Sequence, residues 1–266
     1  MSLIPDERFA RWMSGLEARH LADLTFPEVS RALRALSSAY VERRQRLAEG
    51  AALAGAGKRA AFALFYGPLH YLVIHAIAAA LPAASGDSRA GGDSREPVLV
   101  DLGCGTGAAG AGWAAGIRTP PTIVGIDRHP WALGEAAETY RAFGFPARTR
   151  RGDVAGIQLP RSPAALLAAF TVNELAGDAR NRLLHRLIAR AADGDRVLIV
   201  EPLAGFVAPW WNDWRQAFQA AGGRDDEWRF RVELPAIVAK LDRAAGLNHR
   251  ELKARSLWLS GHRSAG

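Results

Sequence analysis

The sequence predicts an α/β protein: a mostly parallel sheet of seven strands, helices on both faces, and an N-terminal helical extension. Three observations predict it. The β-favouring run Val98-Leu99-Val100 leads into Asp101 and then three glycines at alternate positions, Gly103, Gly105 and Gly107. Roughly twenty residues beyond Gly107, Thr122-Ile123-Val124-Gly125-Ile126-Asp127 is a second apolar run closed by an acid, the spacing of a βαβ unit. Residues 5–83, in contrast, read as helical.

In that extension Leu33, Leu36 and Tyr40 recur every three or four positions, and Thr25-Phe26-Pro27-Glu28 reads as a helix start. Residues 50–57 hold three glycines and break the pattern. Pro68 kinks or restarts the helix that follows. Preceding the core, the extension is expected to pack over the strand ends and cover the cleft there. Tyr66, His70 and His75 are its chemical groups, although a His on an otherwise apolar helix is more often a hydrogen-bonded core residue than a catalyst. The apolar stretch 60–84 is interrupted by Gly67, Pro68, His70 and His75, which argues against a membrane span. Residues 84–96 repeat Gly-Asp-Ser-Arg at Gly86 and Gly92 and read as a linker. The expected organisation is therefore a helical domain or lid at 1–83, a linker at 84–96 and a core at 97–266.

Glycines after a buried strand let the backbone turn sharply and approach a ligand closely. The small residues after Gly107, to about Ala115, start a helix whose N-terminus suits an anionic group. Gly103, Gly105 and Ala108 satisfy the dinucleotide spacing G-x-G-x-x-G/A. Asp101 argues otherwise, since an acid sits poorly beside a pyrophosphate and well beside a cationic amino group. Asp127 is placed to accept ribose hydroxyls in either case. A third strand at 147–151 ends in Gly152-Asp153-Val154, where Asp153 is either a ligand contact or a cap. A fourth, 164–170, leads into Thr171-Val172-Asn173-Glu174-Leu175. A helix at 178–192 carries Leu183, Leu184, Leu187 and Ile188 on one face, and 195–202 is a fifth strand. The cluster Trp210, Trp211 and Trp214 stacks on a planar ligand or packs on the sheet. Strands at 228–232 and 254–259 flank a helix at 235–245.

Asp101 followed by Gly103, Gly105 and Gly107 resembles the first motif of the class I S-adenosylmethionine (SAM) methyltransferases, and acids at three successive strand ends extend the likeness. The resemblance implies a Rossmann-like sheet ending in an antiparallel pair. It implies SAM as cofactor and S-adenosylhomocysteine (SAH) as product. Its cofactor site would comprise Asp101, Gly103, Cys104, Gly105, Gly107, Asp127 with Arg128, Asp153 with Val154 beside the adenine, and Phe170. Residues just after the fourth strand lie beside the transferring methyl group in that family, so Asn173 and Glu174 are the first candidates for acceptor contact. Glu174, His70 and His129 are candidate bases. The sequence after the fourth strand is not the Asn/Asp-Pro-Pro-Tyr/Phe of amino-directed nucleic-acid methyltransferases. The helical N-terminus and Phe170-Thr171-Val172-Asn173-Glu174-Leu175 also resemble the methyltransferase-like family of the small ribosomal subunit, whose C-terminal cysteine cluster this chain lacks.

A single cysteine, Cys104, excludes an intrachain disulfide and a multi-cysteine metal site. The net charge of +7 favours anionic partners, nucleic acid first, or reflects a solvated arginine-rich face. Residues 1–7 lack the basic-then-apolar order of a secretory signal, so a cytoplasmic location is expected. Three functions follow: an RNA methyltransferase, possible on ribosomal RNA; a small-molecule methyltransferase; or a non-catalytic SAM-binding assembly protein. No metal and no membrane partner are expected.

Overall fold

Strands β2 (Val98–Leu102), β3 (Thr122–Asp127), β4 (Ala147–Arg151), β5 (Ala165–Ala169) and β6 (Arg196–Pro202) are mutually parallel. The sheet is completed by β7 (Arg224–Val232) and β8 (Glu251–Leu259), with β8 antiparallel to both β6 and β7. The seven expected strands are present, in a computed structural model that describes residues 2–3, 6–42, 53–81, 98–161, 163–203 and 208–260. An eighth, two-residue strand β1 (Ser2–Leu3) adds to the free edge of β7. The order is β1-β7-β8-β6-β5-β2-β3-β4. The linker expected at 84–96, Gly50 and the side chain of Tyr40 lie outside the described residues.

Strand order reverses between β2 and β5, which both run toward the same edge. A parallel sheet opens a crevice beyond its strand ends at such a switch point. Helices α5 (Ala108–Gly116), α6 (Pro130–Phe143), α7 (Gly177–Ala192) and α8 (Trp211–Ala220) cover the sheet. Helix α9 (Ala236–Ala244) joins β7 to β8 at the crevice end.

The N-terminal extension forms α1 (Glu7–His20), α2 (Phe26–Glu42), α3 (Ala56–Ala61) and α4 (Gly67–Ala80). Asp6 caps α1 by accepting the Phe9 N–H at 2.8 Å. Phe9, Trp12, Met13 and Leu16 form its buried face, each worth about 1.5–3 kcal/mol of burial. Glu28 closes back on the Thr25 N–H and hydroxyl, so α2 starts where the sequence predicts. Between α3 and α4 the chain makes a π-helical turn, Phe62–Tyr66, just before Pro68. Proline offers no N–H and its ring collides with the carbonyl four residues back. Widening the helix by one residue removes both problems without ending it. The continuous stretch Ala56–Ala80 is long and apolar enough to cross a membrane, yet 78% of its apolar 18-residue window is buried inside the protein.

The extension shares one hydrophobic core with the sheet. Its tightest contact is between α4 and α5. A Cβ on Gly112 would lie 2.6 Å from the Tyr71 carbonyl oxygen, and one on Gly116 2.7 Å from that of His75. Small residues at four-residue spacing on α5 thus let two helix backbones touch.

Candidate active site

The crevice floor is the loop from Gly103 to Gly107. Gly103, Gly105 and Gly107 all adopt positive φ, +72°, +51° and +75°. A side chain at Gly103 would strike Thr171 at 2.3 Å, and one at Gly107 would strike the α6 backbone at Ala136 at 2.9 Å. The loop therefore fits between the ends of β2 and β5 and the middle of α6 only as glycine.

Asp127, at the end of β3, takes the Gly105 N–H at 3.0 Å and the His129 N–H at 2.8 Å, holding the loop against its own strand. Asp101 does not open to the crevice. It is 1% exposed beneath the loop, where Oδ2 accepts the Gly110 N–H at 3.0 Å and the Tyr140 hydroxyl at 3.1 Å. Burial raises its pKa to about 7, against those two hydrogen bonds, and the Asp127 charge adds to the rise. Burial first, then the charges of Asp101 and Asp127, pushes the Cys104 thiol far up and leaves it unreactive. Arg128 is exposed next to Asp127. Asp153 is exposed too; it caps its own turn through the Ala155 N–H at 2.9 Å, while Val154 is buried.

The second wall is the chain leaving β5. Phe170 has φ 58°, the one non-glycine residue with positive φ among the described residues. That conformation costs about 1–2 kcal/mol. Its ring stacks on His70 at 4.1 Å and 16°. Thr171 donates its hydroxyl to the Gly103 carbonyl at 3.2 Å, tying this wall to the floor. A 3-10 turn, Val172–Glu174, follows. The Glu174 carboxylate makes no hydrogen bond among the described residues. Desolvation first, then the charge of Asp127, raises its pKa to about 7 against the pull of Arg128. Both ends of the Asn173 amide are committed, the nitrogen to Glu201 at 2.6 Å and the oxygen to the Trp210 indole at 2.9 Å.

The roof comes from the extension. Phe62 sits 3.5 Å from where a Gly105 Cβ would be, and Gly67 packs on Thr106. Phe62, Tyr66 and His70 lie edge to face or tilted, 5.8–6.2 Å apart. Burial lowers the His70 pKa to about 3, so its ring is neutral. His75 is turned onto Tyr71 at 5.8 Å, further along α4. His129 occupies the residue before α6 without a side-chain hydrogen bond to the helix, its ring beside Trp131. Trp210, Trp211 and Trp214 are buried as packing residues against the sheet.

Two residues escaped the sequence reading. Glu201, fully buried at the end of β6, accepts the Val172 and Asn173 N–H groups. Its signal was present: an acid closing an apolar strand, as at Asp101 and Asp127. Tyr140, which holds Asp101, lies on α6, a helix the reading did not assign. Among the described residues no group of three or more His, Cys, Asp or Glu could hold a metal ion.

A parallel sheet with this switch point, a glycine loop after its first core strand and a β6-β8-β7 end defines a Rossmann-like fold, that of the class I SAM-dependent methyltransferases. Among solved structures, the chain is similar to mitomycin 7-O-methyltransferase, with a TM-score of 0.50 and 17% identity over 97% of this chain and 74% of that one. It is also similar to magnesium protoporphyrin IX methyltransferase from Synechocystis PCC 6803 with bound SAH (TM-score 0.48, 15% identity, 74% and 84% covered). A putative RNA methyltransferase from Pyrococcus horikoshii gives a TM-score of 0.43 at 14% identity, with 73% and 85% covered. No family model matches the chain, and no curated protein matches it by sequence.

Proposed function

We propose that this chain is a SAM-dependent methyltransferase. The observation that carries the reading is the charge of the crevice. In a chain of net charge +7, Asp127 holds the glycine loop, Asp101 lies buried beneath it, Glu174 feels the Asp127 charge and Glu201 that of Glu174; burial first, then this repulsion, raises the pKa of Asp101, Glu174 and Glu201. Carboxylates held back from ionising in this way gain charge when a sulfonium or an ammonium binds beside them and lose it beside a pyrophosphate, so the site favours the cation. The unpartnered Glu174 carboxylate fits a cationic ligand for the same reason.

SAM, when bound, supplies a methyl group on a positively charged sulfur that is already a good leaving group. The chain's own work is then to align, to exclude water and to manage one proton. Roughly 7–11 kcal/mol of barrier is within reach of alignment alone. The glycine loop and Asp127 hold the cofactor, with Asp127 on the ribose hydroxyls and Val154 and Asp153 toward the adenine. Phe62, Tyr66, His70 and Phe170 exclude water over the transfer path. Glu174 takes the proton of an acceptor that must lose one, its ionisation being set near neutral pH. His70, held neutral, adds no repulsion to a cationic ligand. Asn173 serves the site by holding the turn.

The aromatic roof favours a small planar acceptor. An RNA acceptor is the second reading, favoured by Arg148, Arg150 and Arg151, all exposed on the open edge strand β4. A cytoplasmic location is part of this proposal. Calorimetry with SAM and with NAD, on wild type and Asp127→Ala, tests the cofactor. Binding of SAM that Asp127→Ala weakens supports the reading, and binding of NAD alone overturns it. A labelled-methyl assay on RNA, protein and small-molecule fractions of cell extract then separates the acceptors. Transfer to none of them, with SAM bound, leaves the non-catalytic binding protein.

A further inference from the structure

We infer that Glu201 is a positioning residue that sets the affinity of the crevice for a sulfonium through the turn it clamps, an inference that rests on the cofactor reading above. Glu201 ends β6, the strand next to β5, and its side chain reaches across to the turn leaving β5. Oε1 accepts two backbone N–H groups, of Val172 at 2.9 Å and Asn173 at 3.3 Å. Oε2 accepts the Asn173 side-chain Nδ2 at 2.6 Å. The Trp210 indole then donates to Asn173 Oδ1 at 2.9 Å, which fixes the amide orientation from the far side.

Four hydrogen bonds thus lock a three-residue turn whose third residue is Glu174. The Glu174 carboxylate has no hydrogen-bond partner of its own among the described residues, so the turn is what places it where it feels the Asp127 charge. A carboxylate this deeply buried is costly to desolvate, a cost that its three donors only offset. A plain turn needs only its own backbone bonds, of Glu174 N–H to Thr171 at 3.0 Å and Leu175 N–H to Val172 at 3.2 Å. The additional clamp is therefore assigned to function. On the other side Glu201 faces Arg255, its register partner on β8, whose guanidinium lies 4.2 Å over Trp211.

The donor and acceptor pattern gives a specific test. Glu201→Gln keeps an oxygen for the two backbone N–H groups but turns an amide nitrogen toward the Asn173 amide nitrogen, donor against donor. Adding Asn173→Asp swaps the two groups: the new amide at 201 donates to the new carboxylate at 173, whose other oxygen still accepts from Trp210. The measurement is the dissociation constant of SAM and of SAH for wild type, E201Q and the double variant E201Q/N173D. The indole N–H signal of Trp210, identified by Trp210→Phe, is followed by NMR alongside.

In E201Q, SAM affinity is expected to fall about tenfold while SAH affinity stays within about threefold. The double variant is expected to recover most of the SAM affinity and the wild-type indole shift. Equal loss for SAM and SAH would mean a merely structural turn and would overturn the inference, as would unchanged SAM binding in E201Q. If E201Q does not fold, a folded double variant with wild-type SAM to SAH preference supports the clamp, and one without it overturns it. A wild type that binds no SAM overturns the cofactor reading instead. The clamp is then judged by the indole signal alone: displacement in E201Q and return in the double variant keep it, and no displacement removes it.

Discussion

Glu174 makes the most direct quantitative prediction. Its pKa of about 7 leaves the carboxylate about half protonated at pH 7 before any ligand arrives. A positive charge placed about 8 Å away at an effective dielectric of about 20 favours the ionised form by about 2 kcal/mol. That is more than a tenfold change in ionisation, so the protonated fraction falls from about one half to below about one tenth. Binding SAM at pH 7 should therefore release about 0.4 proton from Glu174 alone. The perturbation is Glu174→Gln, which removes that source and keeps Asp101, Asp127 and Glu201. The assay is calorimetry in two buffers of different ionisation enthalpy, whose difference in apparent heat counts released protons. Wild type minus variant should give about 0.4 proton with SAM and less with SAH, which lacks the sulfur charge. Equal release from the two proteins, or equal release by SAM and SAH, refutes the electrostatic argument.

Three further outcomes follow from the geometry. Burial raises Asp101 from 3.8 to about 7, so the folded chain holds that proton more tightly than the unfolded one. Its contribution to stability is full below about pH 4 and is lost as pH rises toward 7, by up to about 1.4 kcal/mol per pH unit. Thermal unfolding of wild type against Asp101→Asn should show the variant gaining relative stability across that window. Gly112→Ala puts a methyl group 2.6 Å from the Tyr71 carbonyl oxygen and should cost about 1–3 kcal/mol in denaturant unfolding. Phe170→Ala removes the ring stacked on His70 at 4.1 Å. An NMR titration should then find the His70 pKa moved up from about 3 toward its ordinary value, because burial is what lowers it.

Much of the fold was legible because the core strands are short apolar runs with marked ends. Val98 to Leu102 and Thr122 to Asp127 carry their own boundaries, an acid and then glycines or a proline-started helix. Strand β7 was read from Trp228 although it starts at Arg224. Arg224 to Glu227 are polar because that half of the strand is largely exposed, and exposure erases the apolar signal. Two residues of β1 carry no pattern at all and exist as a strand only through β7. At the site, the acids were visible but their directions were not. Asp101 points under the loop because Tyr140 and Gly110 receive it there, and Asn173 is spent because Glu201 and Trp210 lie on either side. Those partners are 9 to 39 residues away along the chain, so no local spacing encodes them.

The touching backbones of α4 and α5 have a mechanical consequence. With the Gly112 and Gly116 contacts at carbonyl oxygens of the neighbouring helix, α4, whose first residue packs on Thr106, is riveted to α5, which leaves the glycine loop. A hinge cannot swing one without dragging the other. On the methyltransferase reading, substitutions at Phe62, Tyr66 and His70 are expected to change acceptor selectivity while the glycine loop below keeps its shape.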